Sequence, residues 1–213
     1  MAHYFEERPQ AASRPGVVSL VLPDLHLRLE TDRGVFSPER VDPGTRVLLE
    51  TVPAPPAEGD LLDLGCGYGP IALTMATRAP GATVWAVDVN RRSLELCGRN
   101  AASAGLDKVR PVHVDEVPDG VRFRAIWSNP AIRIGKTALH EMLSLWLGRL
   151  APGGSAYLVV QKHLGSDSLQ RWLGDQGHPT SRVASRAAYR VLRVDAPPGD
   201  GIHDGIPERD GER

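Results

Sequence analysis

The chain has 213 residues, 41% of them hydrophobic and 24% charged, with a formal net charge of −1 at pH 7. That length suits one domain with a small appendage, and the composition excludes a coiled coil, a collagen-like repeat and a wholly disordered chain. No apolar run approaches the roughly 20 residues of a membrane span, and the first ten residues are too polar for a secretory leader. Two cysteines, Cys66 and Cys97, are too few for a zinc quartet or a disulfide framework. A reducing, cytoplasmic setting without a metal is expected.

Charge is unevenly spread. Residues 196–213 hold five acids and two bases, which leaves the rest of the chain mildly positive. Only Lys108, Lys136 and Lys162 among the 25 basic residues are lysine, beside 22 Gly and 18 Pro. This profile reads as the bias of a GC-rich genome rather than as a nucleic-acid signal.

Residues 1–16 show neither helical nor strand period and contain Pro9 and Pro15. Residues 17–30, VVSLVLPDLHLRLE, predict a β-hairpin turning at Pro23-Asp24. Ser37-Pro38-Glu39 and Asp42-Pro43-Gly44 carry the chemistry of helix starts and turns, and Val47, Leu48 and Leu49 follow on one helical face. From Gly59 strands and helices alternate. Strands are predicted over Leu61–Leu64, Thr83–Asp88, Val109–Val114, Phe123–Ser128, Ser155–Gln161, Arg182–Ser185 and Tyr189–Val194. The helices between them are Pro70–Arg78, Arg91–Ala104, Thr137–Leu150 and Ser168–Gln176. Such alternation predicts an α/β fold, a mostly parallel sheet with helices on both faces. Residues 1–58 form an N-terminal extension with the hairpin and a short helix, 59–195 the main domain, and 196–213 a tail read as disordered.

The first predicted strand runs into Asp63-Leu64-Gly65-Cys66-Gly67-Tyr68-Gly69-Pro70. A Gly-x-Gly-x-Gly turn between strand and helix lets backbone approach a ligand. The next strand ends in Asp88, 23 residues after Gly65, where a carboxylate can accept from both hydroxyls of a ribose. The third glycine of a dinucleotide fingerprint is missing, which argues against NAD. With these features the sequence resembles the class I S-adenosylmethionine-dependent methyltransferases: LLDLGCGYGPIAL is similar to their first motif and VWAVDVN to their second. The resemblance implies a Rossmann-like sheet of seven strands whose last strand is antiparallel. It implies that Gly65, Gly67 and Gly69 line the methionine part of the cofactor, that Asp63 meets its ammonium and that Asp88 binds the ribose. Asn90 would flank the adenine, and Asp115 in VHVDEV would bond its amine. Cys66 and Val89 lie inside these motifs and are counted with the cofactor residues, although Cys66 also reads as a small packing residue.

The fourth strand of the main domain ends in Ser128-Asn129-Pro130-Ala131-Ile132-Arg133-Ile134-Gly135-Lys136. Methylation of an exocyclic amine needs the nitrogen lone pair turned out of conjugation and aimed at the methyl, and orientation of this kind is a large catalytic term. An Asn oxygen and a backbone carbonyl can accept the two N–H bonds, while proline adds stiffness and no competing donor. The loop resembles the Asn-Pro-Pro-aromatic motif of amine N-methyltransferases. More narrowly, SNPAIRIGK, with TDRGVFSPERVDPGTRVLLE and LVVQKHLGSDSLQRWL, resembles the small-domain family that includes ribosomal RNA guanine-N2 methyltransferases. The resemblance implies Asn129 and Pro130 as catalytic residues and Asn129 also at the cofactor. It implies Phe36, Ile132, Arg133 and Lys136 at the substrate, the last two gripping phosphates. Ribosomal RNA or a ribosomal subunit is the implied partner, with the oligomeric state open between monomer and homodimer. Two positions depart from the family: Ala131 replaces a second proline, and Arg186-Ala187-Ala188-Tyr189 replaces a glycine-containing turn. Methylation of a protein glutamine amide or a small amine, and a cofactor-binding assembly factor without turnover, stay open as alternatives. His113 reads as a strand residue and Lys162 and His163 as an extension of the basic rim.

Overall fold

Alternation in the first hairpin decides what turns inward. β1 (Gly16–Leu22) and β2 (Leu25–Thr31) pair antiparallel with Leu22 opposite Leu25, so Pro23 and Asp24 alone make the turn. Val18, Leu20, Leu22, Leu27 and Leu29 are buried, while the residues between them are wet. The architecture is that of a computed structural model describing Glu7 and residues 10–197; most of the predicted tail lies outside the described residues.

Asp42 starts helix α1 (Pro43–Thr51) by accepting hydrogen bonds from Gly44 N at 2.8 Å and Thr45 N at 3.2 Å. Proline fits the first helical position because that N–H needs no partner. Ser37-Pro38-Glu39, with equal helix-start chemistry, forms only a turn, its Ser37 Oγ donating to Arg40 O. Pro43 biases Asp42 away from helical backbone, so a helix begun at Ser37 has no room to grow.

β3 (Asp60–Leu64), β4 (Thr83–Asp88), β5 (Val109–His113), β6 (Phe123–Ser128), β7 (Leu150–Gln161), β8 (Thr180–Arg186) and β9 (Tyr189–Asp195) form one sheet in the order β5-β4-β3-β6-β7-β9-β8. Strands β3 to β7 are parallel, and β9 runs antiparallel to both β7 and β8. Helices α2 (Pro70–Arg78) and α3 (Arg91–Ser103) lie with α1 on one face, α4 (Lys136–Leu147) and α5 (Ser166–Asp175) on the other. Strand alternation separates the two cores. Leu61, Trp127, Val159 and Val191 face the first, and Leu62, Ile126, Leu158 and Leu192 the second. The hairpin packs into the first core.

Several boundaries differ from expectation, most of all at β7, which opens at Leu150 rather than Ser155. α4 ends at Leu147 instead of Leu150, because Leu150 pairs with Phe123 and opens β7. α5 starts two residues early, at Ser166. In the glycine-poor turn between β8 and β9, Ala187 adopts φ +49, a conformation that costs an L-residue about 1–2 kcal/mol. Lys162 holds this turn through Nζ to Ala187 O at 2.7 Å and its backbone N to Ala188 O at 2.8 Å.

Two polar contacts clasp the hairpin. Arg78, ending α2, makes a two-pronged bond to Asp24, which pulls that carboxyl below its usual range. Asn100, buried on α3, accepts from Glu30 N at 2.7 Å and donates to Glu30 O at 3.0 Å and Tyr68 O at 2.9 Å. Among the described residues no helix is long and apolar enough to cross a membrane, and no group of three or more His, Cys, Asp or Glu could hold a metal.

Candidate active site

At the carboxyl ends of the parallel strands the chain encloses a cavity of about 780 Å³, the place where sheets of this kind take ligands. The glycine loop forms one wall. Gly65 N and Cys66 N donate to Val87 O at 2.8 and 3.0 Å, which staples the loop to the end of β4. Gly65 and Gly67 line the cavity at φ +79 and +55, and a Cβ at either would meet open space. Backbone conformation, not crowding, therefore selects glycine at both. Gly69 differs: it is off the wall, and a Cβ there would come within 2.7 Å of Leu73 and 2.8 Å of Cys97 Sγ. Its role is to let α2 approach α3.

Asp88 lies on the wall with both carboxylate oxygens held: Oδ2 accepts from Gly67 N at 2.8 Å and Oδ1 from Asn90 N at 2.9 Å. Each oxygen keeps a further lone pair for a hydroxyl. Burial raises its pKa, and the backbone N–H groups of Asn90, Gly67 and Val89 pull it back. Asp63, expected at the cofactor ammonium, stands instead behind the loop, fully buried and off the cavity wall. Its Oδ2 accepts from Ala72 N at 2.8 Å in the first turn of α2, and Oδ1 has no partner. Burial pushes this carboxyl well above its usual range, against the Ala72 N–H and with the help of the Asp88 charge. Cys66 is buried beside the main cavity; burial pushes its thiol well up, which keeps it protonated and unsuited to nucleophilic work.

The opposite wall carries the loop after β6. Asn129, Pro130, Ala131 and Ile132 all line the cavity. Asn129 Nδ2 donates to Asp42 Oδ2 at 2.8 Å and to Thr45 Oγ1 at 3.0 Å. A carboxylate only accepts, so these partners fix which end of the amide is nitrogen; Oδ1 makes no hydrogen bond among the described residues. Ala131 takes φ −72, inside the range a proline ring imposes. The alanine therefore leaves the backbone of the loop where proline would put it.

Comparison with known proteins fits this geometry. The methyltransferase small domain profile matches residues 26–193. The chain belongs to the methyltransferase small domain family.

The uncharacterized protein YbxB of Bacillus subtilis (strain 168) is 33% identical over 195 residues, 90% of this chain and 97% of that protein. Ribosomal RNA small subunit methyltransferase C of Shewanella amazonensis is 30% identical over 86% of this chain and 54% of that protein. The solved structure of the T. thermophilus 16S rRNA N2 G1207 methyltransferase (RsmC), in complex with AdoMet and guanosine, matches with TM-score 0.71 and 25% identity. It covers 88% of this chain and 52% of that one, so the chain spans about half the length of these ribosomal RNA enzymes.

Within this methyltransferase small domain some expected residues stand elsewhere. Asn90 is buried off the cavity, capping α3 by accepting from Ser93 N and donating to Gly34 O at 2.8 Å. Its neighbour Val89 lines the wall instead. Asp115 is exposed on a short turn near His113, and its neighbour Val114 lines the cavity instead. Phe36 and Ile132 are on the wall as expected, Lys136 is exposed at the start of α4 and off it, and the Arg133 side chain lies outside the description. Asp42, Gln161 and Tyr189 line the cavity without having been singled out from sequence. Asp42 had carried only the signal of a helix cap, and its contact with Asn129 spans 87 residues. Gln161 and Tyr189 are register partners across β7 and β9, joined Nε2 to hydroxyl at 3.2 Å.

Proposed function

We propose that the protein methylates the exocyclic N2 amine of a guanine in ribosomal RNA. The observation that carries this reading is the Asn129 amide, with its nitrogen committed to Asp42 and Thr45 and its oxygen unclaimed on the cavity wall. The methyl donor is S-adenosylmethionine, the cofactor of the class. The residues fit it: Gly65 and Gly67 present backbone with open space before them, and Asp88 offers two oriented acceptors on the cavity wall. When bound, S-adenosylmethionine supplies an electrophilic methyl on a positive sulfur.

The chain's own residues do the rest. Asn129 Oδ1 accepts an N–H of the target amine, which turns the nitrogen lone pair out of conjugation with the ring. Pro130 contributes no donor to compete, and its carbonyl, already accepting from Ile132 N at 2.8 Å, keeps a second lone pair for the other N–H. The amine attacks while neutral, so no strong base is required beforehand; the N–CH3 bond forms as the S–CH3 bond breaks, and the cationic nitrogen then gives up one proton, which becomes acidic on methylation, to solvent. The apolar wall of Ile132, Ile134 and Met142, with the exposed Leu164 at its edge, suits the face of a flat base. Names of relatives such as ribosomal RNA small subunit methyltransferase C and large subunit methyltransferase G support RNA as the substrate class. The proline-like backbone at Ala131 favours turnover over a silent cofactor-binding role.

The test is transfer of labelled methyl from S-adenosylmethionine to ribosomal subunits, naked ribosomal RNA and a protein extract, with nucleoside analysis of labelled RNA. Label recovered as N2-methylguanosine is expected. Label confined to protein would replace this reading with amide methylation, and cofactor binding without label in any fraction would replace it with a non-catalytic role.

A further inference from the structure

Asn129 is oriented from outside its own loop. An amide is almost symmetric in shape, so packing alone does not choose between its two ends; hydrogen-bonding partners must. Asp42 Oδ2 can only accept, so it admits the nitrogen and repels the oxygen, at 2.8 Å. Thr45 Oγ1 accepts at 3.0 Å, and with it both N–H groups of the amide are engaged. Asp42 Oδ2 is itself pinned by the backbone N–H groups of Gly44 and Thr45, and Thr45 is buried. Asp42 cannot swing away without giving up its cap on the first turn of α1, and the Thr45 side chain is held by burial.

We propose that Asp42 and Thr45 are positioning residues for methyl transfer, a clamp that presents the oxygen of Asn129, and not its nitrogen, to the substrate amine. This rests on the reading of Asn129 as the acceptor of that amine. With the amide reversed, a donor would face a donor at the substrate and two oxygens would face each other at α1. Orientation of the reacting amine is thereby tied to α1, which lies across β7 and β9 and belongs to the part of the chain before the glycine loop.

Two variants separate the clamp from the helix cap. Thr45→Val keeps shape and removes the hydroxyl. Asp42→Ser keeps a capping oxygen, since serine caps as well as aspartate, but is one atom shorter toward Asn129. Each is expected to lower kcat on ribosomal RNA by up to about 100-fold, the scale of a misplaced reacting group, with cofactor Kd unchanged within about twofold. Thr45→Ser should recover most of the Thr45→Val loss. Combined with Asn129→Ala, neither should reduce kcat further, because groups that act as a unit are not additive. Wild-type kcat in both single variants, while Asn129→Ala falls at least about 100-fold to a measurable residual rate, would overturn the clamp and leave the Asn129 reading intact. Losses that multiply with Asn129→Ala would also overturn it. Full turnover by Asn129→Ala would defeat the reading itself. Should Asp42→Ser fail to fold, Thr45→Val decides, because it leaves the cap untouched.

Discussion

Burial raises the carboxyl pKa of both Asp63 and Asp88, but the two side chains are unequally provided for. Asp88 has a backbone donor on each oxygen, whereas Asp63 has one oxygen bare in the interior. A folded-state pKa above the ordinary value of about 3.9 means that the folded chain holds a proton the unfolded chain has released. The stability from such a group is whole below about pH 4 and is lost as pH rises through the folded value. Asp63→Asn keeps an acceptor for Ala72 N and removes the ionisation, so its urea midpoint should fall less than the wild type's between pH 4 and pH 8. Parallel pH profiles would show that Asp63 titrates alike in both states. At this scale the sequence disclosed residues that sit inside short motifs: Gly65, Gly67, Asp88 and Asn129 all reach the cavity. It did not disclose Asp42 as a partner of Asn129, since nothing local records a contact across 87 residues. Asn90 and Asp115 were displaced from the wall because a neighbour's backbone or side chain, not their own, faces it.

Among the elements, the loop after β6 shows how a substituted motif can keep its form. Ala131 has φ −72, a value that proline would merely have fixed in advance. Ala131→Pro is therefore expected to stabilise the fold by about 0.4–1 kcal/mol, through the unfolded chain, and to retain methyl transfer. Destabilisation measured by chemical denaturation would mean that the Ala131 N–H or the backbone of Pro130 matters in a way proline forbids. Strand and helix interiors were legible because their apolar periods match the two cores. Ends were less so: the reading of helix to Leu150 had no means of knowing that Phe123 would claim that residue for a strand. The same holds at Ser37, where helix-start chemistry met Pro43 six residues ahead.

For the molecule as a whole, the hairpin is the part whose place the sequence left least determined. It was expected to pack on the main domain near the cofactor mouth, and the structure seats it in the first core against α2 and α3. Asn100 bonds the edge of β2 and the carbonyl of Tyr68 at once, so one buried amide couples the hairpin to the glycine loop. That the sheet is mostly parallel was legible from the alternation of strands with helices, but the order of its strands was not. The slot taken by β9 has a further meaning in time. β9 sits between β7 and β8 although it is synthesised after both. A growing chain therefore carries β7 with an open edge, and β8 without its neighbour, until Tyr189–Asp195 emerges. Nascent chains stalled short of Tyr189 should be cut by protease within β7 and β8, and chains extended well past Asp195 should resist. Equal resistance at both lengths would show that the sheet closes before its central antiparallel strand arrives. On this account the protein spends its synthesis as an unsealed sheet, exposed to chaperones and proteases until its last described strand slides into the gap.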